Sequence, residues 1–499
     1  MNRNNTKKQV VFIMTDTQRK DMLGCYGNPD MKTPALDALA SKGMRFEKAY
    51  TCQPVCGPAR SALFTGTYPH SNGSWGNSMP IGDNVRTIGQ RLNGEGIHTA
   101  YIGKWHVDGG DYFGLGQCPD GWDADYWYDM RNYLEELTDE ERLLSRQTSL
   151  MNETDVAREF TFGHRCSNRA IDFIEQCKEE DFFLVVSYDE PHGPFICPQP
   201  YADMYKDYQF PKSKNLWDDL SNKPEHHVAW AGDRLQLNKD TLDMNFQYYL
   251  GCNSFVDDEI GRVIQTIHEQ IPNALVIYTS DHGDLLYSHS LMNKGAAMYD
   301  EITNIPLIMM CNEFIESGQI NTDPVSHIDM VPTIMHYFDL QQSKLFEGHS
   351  IIPTLQVGER VNDTIYIEFS RYEVDHDGFG GFQPIRCAFD GRYKLVINLL
   401  ATDELYDLEI DPGEMDNLID NNEYSSIRDD IHNRLLNWMN ETRDPFRGYY
   451  WERRPWRKDA REASWDYTLM TRQREAEYEP RQLDYGTGLE MVDATRLKG

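Results

Sequence analysis

Short, unbroken apolar runs recur along this chain at residues 10–14, 98–102, 182–188, 274–279, 305–309 and 364–369. They do not alternate with polar residues, which is the pattern of strands covered on both faces. Stretches with helical signals lie between them at 33–42, from 61 onward, and at 167–177, 253–267 and 329–338. The first is opened by Thr33 and Pro34 in cap and first-turn positions. Strands alternating with helices predict an α/β architecture built on a large, mixed but mostly parallel central sheet flanked by helices. A chain of 499 residues encloses such a core easily and has room for a smaller companion domain. The pattern changes near residue 360. Residues 1–360 form the expected large domain, and 361–499 a smaller α+β domain. Its signals are an antiparallel pair, 386–389 and 393–399, joined at Asp390-Gly391, and a helix over 425–442. From Gly448 the tail is rich in Trp, Tyr, Arg and Glu. Such a tail would hardly fold alone; it is expected to wrap the domains or to pack on a second copy in a homo-oligomer.

Charge narrows the function. The formal net charge is −32, from 80 acidic against 48 basic residues, which argues against nucleic acid or an anionic membrane as partner. An anionic substrate would need a locally basic pocket, so Lys and Arg near reactive motifs gain weight. Ten cysteines without regular spacing do not resemble a disulfide framework, and reduced thiols are the simpler reading. The run at 10–14 is too short for a signal segment, and no stretch approaches a membrane span. A cytoplasmic location is the expectation.

The segment Cys56-Gly57-Pro58-Ala59-Arg60, continued by Ser61-Ala62-Leu63-Phe64-Thr65-Gly66, carries the chemistry. If Pro58 opens a helix, Cys56 precedes a helix N-terminus, where free amides and the helix dipole favour negative charge. Arg60, four residues on, can return over the same face and donate to an anion there. A buried thiol is the commoner fate of a lone cysteine, and Cys52 permits a two-cysteine metal clip. Neither accounts for Pro58, Arg60 and the ending Lys104-Trp105-His106 together. That ending closes Gly96-Ile97-His98-Thr99-Ala100-Tyr101-Ile102-Gly103-Lys104-Trp105-His106. With these two segments the chain resembles the formylglycine-dependent sulfatases of the alkaline-phosphatase-like superfamily. The resemblance implies that a formylglycine-generating enzyme oxidises Cys56 to an aldehyde.

Two more strand ends offer hard oxygen ligands: Thr15-Asp16-Thr17-Gln18-Arg19 and Ser280-Asp281-His282-Gly283-Asp284. The resemblance assigns Asp16, Asp281 and His282, with modified Cys56, to one divalent cation, Ca²⁺ first and Mg²⁺ or Mn²⁺ as alternatives. Many sulfatases carry a second aspartate where this chain has Thr17, and phosphonate monoester hydrolases are among the relatives that lack it. His192, in Glu190-Pro191-His192-Gly193-Pro194, and Lys294, in Asn293-Lys294-Gly295, match family positions that contact the sulfate. A solvated lysine and a loop-packing histidine are the bland alternatives.

The resemblance implies that a hydrated aldehyde at position 56 attacks sulfur while the metal and Arg60 lower its pKa. Lys104 and Lys294 would steady the sulfuryl oxygens, His192 would protonate the departing alcohol, and His106 would take the proton that lets sulfate leave. The expected substrate is a small anionic sulfate ester, with a sulfated carbohydrate as the leading choice. Trp75, Tyr112, Trp127 and the segment 371–376 are candidates for sugar recognition, or ordinary packing. A phosphonate monoester or phosphodiester hydrolase on the same fold is the rival reading. A non-catalytic anion-binding protein is the outcome if Cys56 is never oxidised.

Overall fold

A computed structural model describes residues 7–77, 79–148, 156–373, 381–458 and 488–489. Its strands, in chain order, are β1 Gln9–Thr15, β2 Met44–Phe46, β3 Ala49–Tyr50, β4 His98–Gly103, β5 Phe182–Ser187, β6 Leu275–Ser280 and β7 Asn304–Ile305. They continue with β8 Leu307–Met310, β9 Gln319–Asn321, β10 Val325–Ser326, β11 Ile365–Phe369, β12 Ile385–Phe389, β13 Tyr393–Asn398 and β14 Glu404–Asp407. Seven of them make one sheet in the order β4-β5-β1-β6-β8-β2-β9. Within it β4, β5, β1 and β6 run parallel, while β8 lies antiparallel to β6 and β2 antiparallel to β8.

Both faces of this sheet are covered, which is why its strands are apolar without alternation. Val10, Phe12 and Met14 of β1 join Leu63, Phe64, Ile88 and Val331 on one side. Val11 and Ile13 join Leu39, Phe173 and Ile260 on the other. Each large apolar side chain buried in this way stabilises the fold by roughly 1.5–3 kcal/mol.

Several boundaries differ from those read in the sequence, for physical reasons. The helix expected from 61 onward is Cys56–Thr65, so Cys56 is its first residue and not the one before it. Pro58 falls within the first turn, whose amides have no intrahelical acceptor, so its missing N–H costs nothing there. The run at 305–309 splits at Pro306 into β7 and β8, since proline cannot donate to a ladder. The run at 364–369 becomes β11 and leaves the central sheet for a four-stranded antiparallel one, β11-β12-β13-β14. The helices expected at 167–177 and 253–267 are longer, Phe162–Cys177 and Gln247–Gln270.

Helix Ser425–Glu441 packs its Ile431, Leu435 and Met439 with Leu395 and Leu405 of the small sheet. Trp451 and Trp456 enter the same core, so the described start of the aromatic tail is packed on this chain. The rest of that tail, and residues 374–376 of the segment named for sugar recognition, lie outside the described residues. All ten cysteines are unpaired. Among the described residues no helix is long and apolar enough to cross a membrane.

Candidate active site

Four neighbouring parallel strands place their C-terminal ends side by side, and each is followed by a polar residue aimed at one basin. β1 delivers Asp16, β4 delivers Lys104, β5 delivers Asp189 and then His192, and β6 delivers Asp281 and His282. Gly103 is required at the end of β4: its φ is 119°, and an added Cβ would collide with the Ser187 carbonyl oxygen. The helix Cys56–Thr65 enters from the side. Its Gly57 amide is met by Asn77 Oδ1 at 2.9 Å, which fixes the first turn.

Cys56 Sγ lies 3.1 Å from His282 Nε2 and 3.6 Å from Asp16 Oδ1. Ligand atoms of Asp16, Cys56, Asp281 and His282 all fall within 4.8 Å of one another, and all four residues are buried. His282 Nδ1 sits 2.8 Å from the Gly283 carbonyl. An acceptor there keeps the proton on Nδ1 and leaves the Nε2 lone pair facing Cys56.

Arg60 is fully buried. It donates through Nε to Asp281 Oδ2 at 3.0 Å and through a terminal nitrogen to Asp16 Oδ2 at 3.1 Å. Its other terminal nitrogen serves the Lys104 carbonyl and Ser187 Oγ. The side chain therefore holds the carboxylates in place and does not present a free fork to an anion, as the helix geometry alone had suggested. Lys104 Nζ bridges Asp16 Oδ2 at 2.8 Å and Asp189 Oδ1 at 3.0 Å. Lys294 Nζ stands 3.0 Å from His192 Nε2.

These contacts set the charges. Burial alone would raise Asp16, but Lys104, His192, Arg60 and Lys294 hold it well below the ordinary carboxylate value. Asp281 is pushed up to about 7 by burial and then by the Asp16 charge, with only partial relief from His282 and Arg60. Burial and Asp16 oppose ionisation of the Cys56 thiol, yet Lys294, His282 and Lys104 outweigh them and pull it low. His106 is lowered chiefly by burial, and its Nδ1 has no partner.

The basin fits a divalent cation. Two carboxylates, an imidazole lone pair and residue 56 converge, and the raised Asp281 marks negative charge that the protein's own cations leave unbalanced. All nine residues singled out in the sequence fall in or around this basin. Two others were missed as members of it. Asp189 comes two residues after β5, close to a strand end as Asp16 is after β1, and that analogy could have flagged it. Tyr112 was named only for sugar stacking. Its hydroxyl donates to Asp189 Oδ1 at 2.5 Å and meets His192 Nδ1 at 2.8 Å; it lies in a loop, where periodicity gives no signal. Trp127 instead packs on Tyr101 and Trp105, and Trp75 against Phe446.

Comparisons with known proteins bear on the chain as a whole. The family described as Sulfatase matches residues 8–340, and that described as N-sulphoglucosamine sulphohydrolase, C-terminal, matches 288–441. The chain is 47% identical over 490 residues to the uncharacterized sulfatase YidJ of Escherichia coli (strain K12), covering 97% of each. It is 24% identical over 517 residues to the N-acetylglucosamine-6-O-sulfatase of Bacteroides thetaiotaomicron, covering 88% of this chain and 87% of the relative. Among solved structures, that of BT4656 in complex with its substrate D-glucosamine-2-N,6-O-disulfate superposes with a TM-score of 0.73 at 20% identity. It covers 88% of this chain and 99% of that one. A matched family spanning most of the chain and a near-full-length relative at this identity leave one conclusion: the chain is a member of the sulfatase family, enzymes that hydrolyse sulfate esters, built on the alkaline-phosphatase-like fold.

Proposed function

We propose that this sulfatase releases inorganic sulfate from a small sulfated carbohydrate, with Cys56 matured to formylglycine as its nucleophile. The single observation that carries the reading is the convergence of Cys56 with Asp16, Asp281 and His282 within 4.8 Å. The N-acetylglucosamine-6-O-sulfatase relative supports the carbohydrate class.

Asp16, Asp281 and His282 would hold the divalent cation, Ca²⁺ by preference for carboxylate oxygens, with Mg²⁺ or Mn²⁺ as alternatives. When bound, it supplies positive charge that neutralises sulfuryl oxygens and eases deprotonation of an attacking hydroxyl. Oxidation of Cys56 by a formylglycine-generating enzyme supplies, once hydrated, one hydroxyl to attack sulfur and a second whose deprotonation expels sulfate. Lys104 and Lys294 would bind the sulfuryl oxygens. Arg60 fixes both carboxylates and needs no rearrangement during turnover.

His192 moves the leaving-group proton. Its Nδ1 lies 2.8 Å from both the Gly193 carbonyl and the Tyr112 hydroxyl, so the proton rests on Nδ1 and Nε2 accepts from Lys294. A proton passed from Lys294 Nζ to Nε2 can then be given to the departing alcohol. His106, held neutral by burial, keeps an open nitrogen and is the base for the second deprotonation.

The test is sulfate release from a panel of sulfated mono- and disaccharides by protein coexpressed with a formylglycine-generating enzyme. Mass spectrometry of the peptide containing residue 56 should show aldehyde, and fully active protein carrying only thiol would overturn the mechanism. A second reading, hydrolysis of a phosphonate monoester or phosphodiester, is favoured by Thr17. Its hydroxyl donates to Asp16 Oδ1 at 2.6 Å, so the position adds no carboxylate to the basin. Aryl phosphonate turned over faster than aryl sulfate would establish that reading instead.

A further inference from the structure

Behind His192 lies a small cleft, partly open to solvent, whose wall includes Asp189, Glu190, His192, Arg146, Tyr133 and Phe162. It shares Asp189 and His192 with the Cys56 basin, so an ester whose alcohol is protonated by His192 has its organic part directed into this space. The enclosed part is small, about 30 Å³, and the cleft opens to solvent, so an organic group larger than a few atoms extends outward along the wall that carries Arg146.

Arg146 stands out in that wall. Its guanidinium lies 5.2 Å from the Tyr112 ring centre and 5.0 Å from that of Phe113. These rings hold the planar group in place but accept none of its in-plane N–H donors. Among the described residues no carboxylate or carbonyl accepts from it, although the chain carries 80 acidic residues. In so acidic a protein an arginine that faces a cavity with its donors unspent is out of the ordinary. The Tyr112 ring that carries Arg146 also lies 5.1 Å from the His192 ring, so guanidinium and imidazole are separated by one aromatic ring.

The neighbouring carboxyls do not cancel this charge. Asp189 is held ionised by Lys104, but its Oδ1 is taken by Lys104 Nζ at 3.0 Å and the Tyr112 hydroxyl at 2.5 Å. Glu190 is nine-tenths buried, accepts from the Gly163 amide at 2.9 Å, and leaves Oε2 without a partner. Burial and the adjacent Asp189 charge favour its protonated form, which adds a donor, not a negative charge, to the wall.

We propose that the organic part of the ester leaves the basin along this cleft, and that Arg146 selects organic parts carrying a second anionic group, carboxylate or sulfate, about one ring away from the scissile sulfate. The inference rests on the reading of the Cys56 basin as the site of sulfate hydrolysis. A bidentate contact from a half-buried guanidinium to such a group is charge-assisted, and a neutral analogue would forgo it.

The test uses matched probes: 4-sulfooxybenzoate against its neutral methyl ester, and a disulfated against a monosulfated hexosamine. Each pair is read as a ratio of kcat/KM within one matured enzyme. The wild type should favour the doubly anionic member of at least one pair. Arg146→Gln should reduce that preference tenfold or more, and Arg146→Lys, which keeps charge but loses the fork, should reduce it less. Calorimetric binding of the same probes to Cys56→Ala protein, with and without Arg146→Gln, should show the same loss without turnover, and thermal melts verify that the variants fold. No preference in the wild type, or equal loss on both members in Arg146→Gln, overturns the inference while sulfate hydrolysis stands. Failure to release sulfate from any probe removes the underlying reading as well.

Discussion

Arg60 and Arg386 are both completely shut off from solvent, but they keep different company. Arg386, on β12, makes a two-pronged contact with Asp444 at 2.5 and 3.0 Å and spends its remaining donors on the Phe369 and Ile385 carbonyls. Despite burial, Arg386 is raised and Asp444 lowered, so each partner favours the other's charge. Arg60 is divided between two carboxylates, and Asp281 is left at about 7. One cation for one carboxylate closes a site and ties the C-terminal end of helix Ser425–Glu441 to the small sheet. Two cations, Arg60 and Lys104, shared among Asp16, Asp281 and Asp189 leave a place where an added positive charge lowers the energy. The same residue types thus build a joint in one region and a receptor for a cation in the other.

The comparison can be broken most severely at residue 56. Cys56→Ala touches the open basin alone, so turnover should fall by about three orders of magnitude or more while the thermal melt stays cooperative. Sulfatase rates near the wild type in that variant would sink the basin as a reaction centre. Next in size is Arg386→Ala, which strands a buried Asp444 and should cost about 3–5 kcal/mol of stability, measured by denaturant unfolding. If the closed pair is only structural, no divalent ion should recover that loss. Smaller is the cation effect itself: Ca²⁺ at about a hundred times its Kd should add about 2.7 kcal/mol to wild-type stability, reversed by a chelator. Asp281→Asn should lose that response and Arg386→Lys should keep it. Equal Ca²⁺ stabilisation of Asp281→Asn and wild type would place the ion elsewhere.

Much of this contrast was legible in the sequence on the open side and little on the closed side. Asp16, Lys104, His192 and Asp281 stand at the ends of apolar runs, and a parallel sheet brings such ends together whatever the intervening loops do. Their convergence is therefore a consequence of strand order alone. Arg60 was visible as a member of the motif, but its partners were not, because they come from β1 and β6, remote in the chain. Tyr112 and Arg146 belong to loops and short helical turns, whose course is set by tertiary contacts and leaves no periodic trace. Asp444 lies just past the helix expected over 425–442, and nothing local announced that Arg386, 58 positions earlier, would claim it. The start of the Cys56 helix was misplaced because Pro58 reads as an opening signal, while the first turn tolerates proline at its third position equally well.

Glu190 offers a third way to bury a carboxyl, and the smallest effect by which to sharpen the contrast. It has neither the single cation of Asp444 nor the shared one of Asp281. With one oxygen on the Gly163 amide and the other unmet, burial first and the Asp189 charge second push it up to about 8 from the ordinary 4.5. Between those values the folded chain binds one more proton here than the unfolded chain. Stability from this group is therefore fully present below about 4.5 and is lost as pH rises towards 8. Glutamine cannot titrate and keeps a donor where the protonated acid has one. Glu190→Gln should therefore melt close to the wild type at pH 5 and above it at pH 8.5, by an amount on the order of a degree or two. A variant destabilised equally at both pH values would mean that Glu190 is ionised in the folded protein. The cavity wall would then carry two negative charges beside Arg146, and the carboxyl would belong with Asp444 among the groups that need a cation.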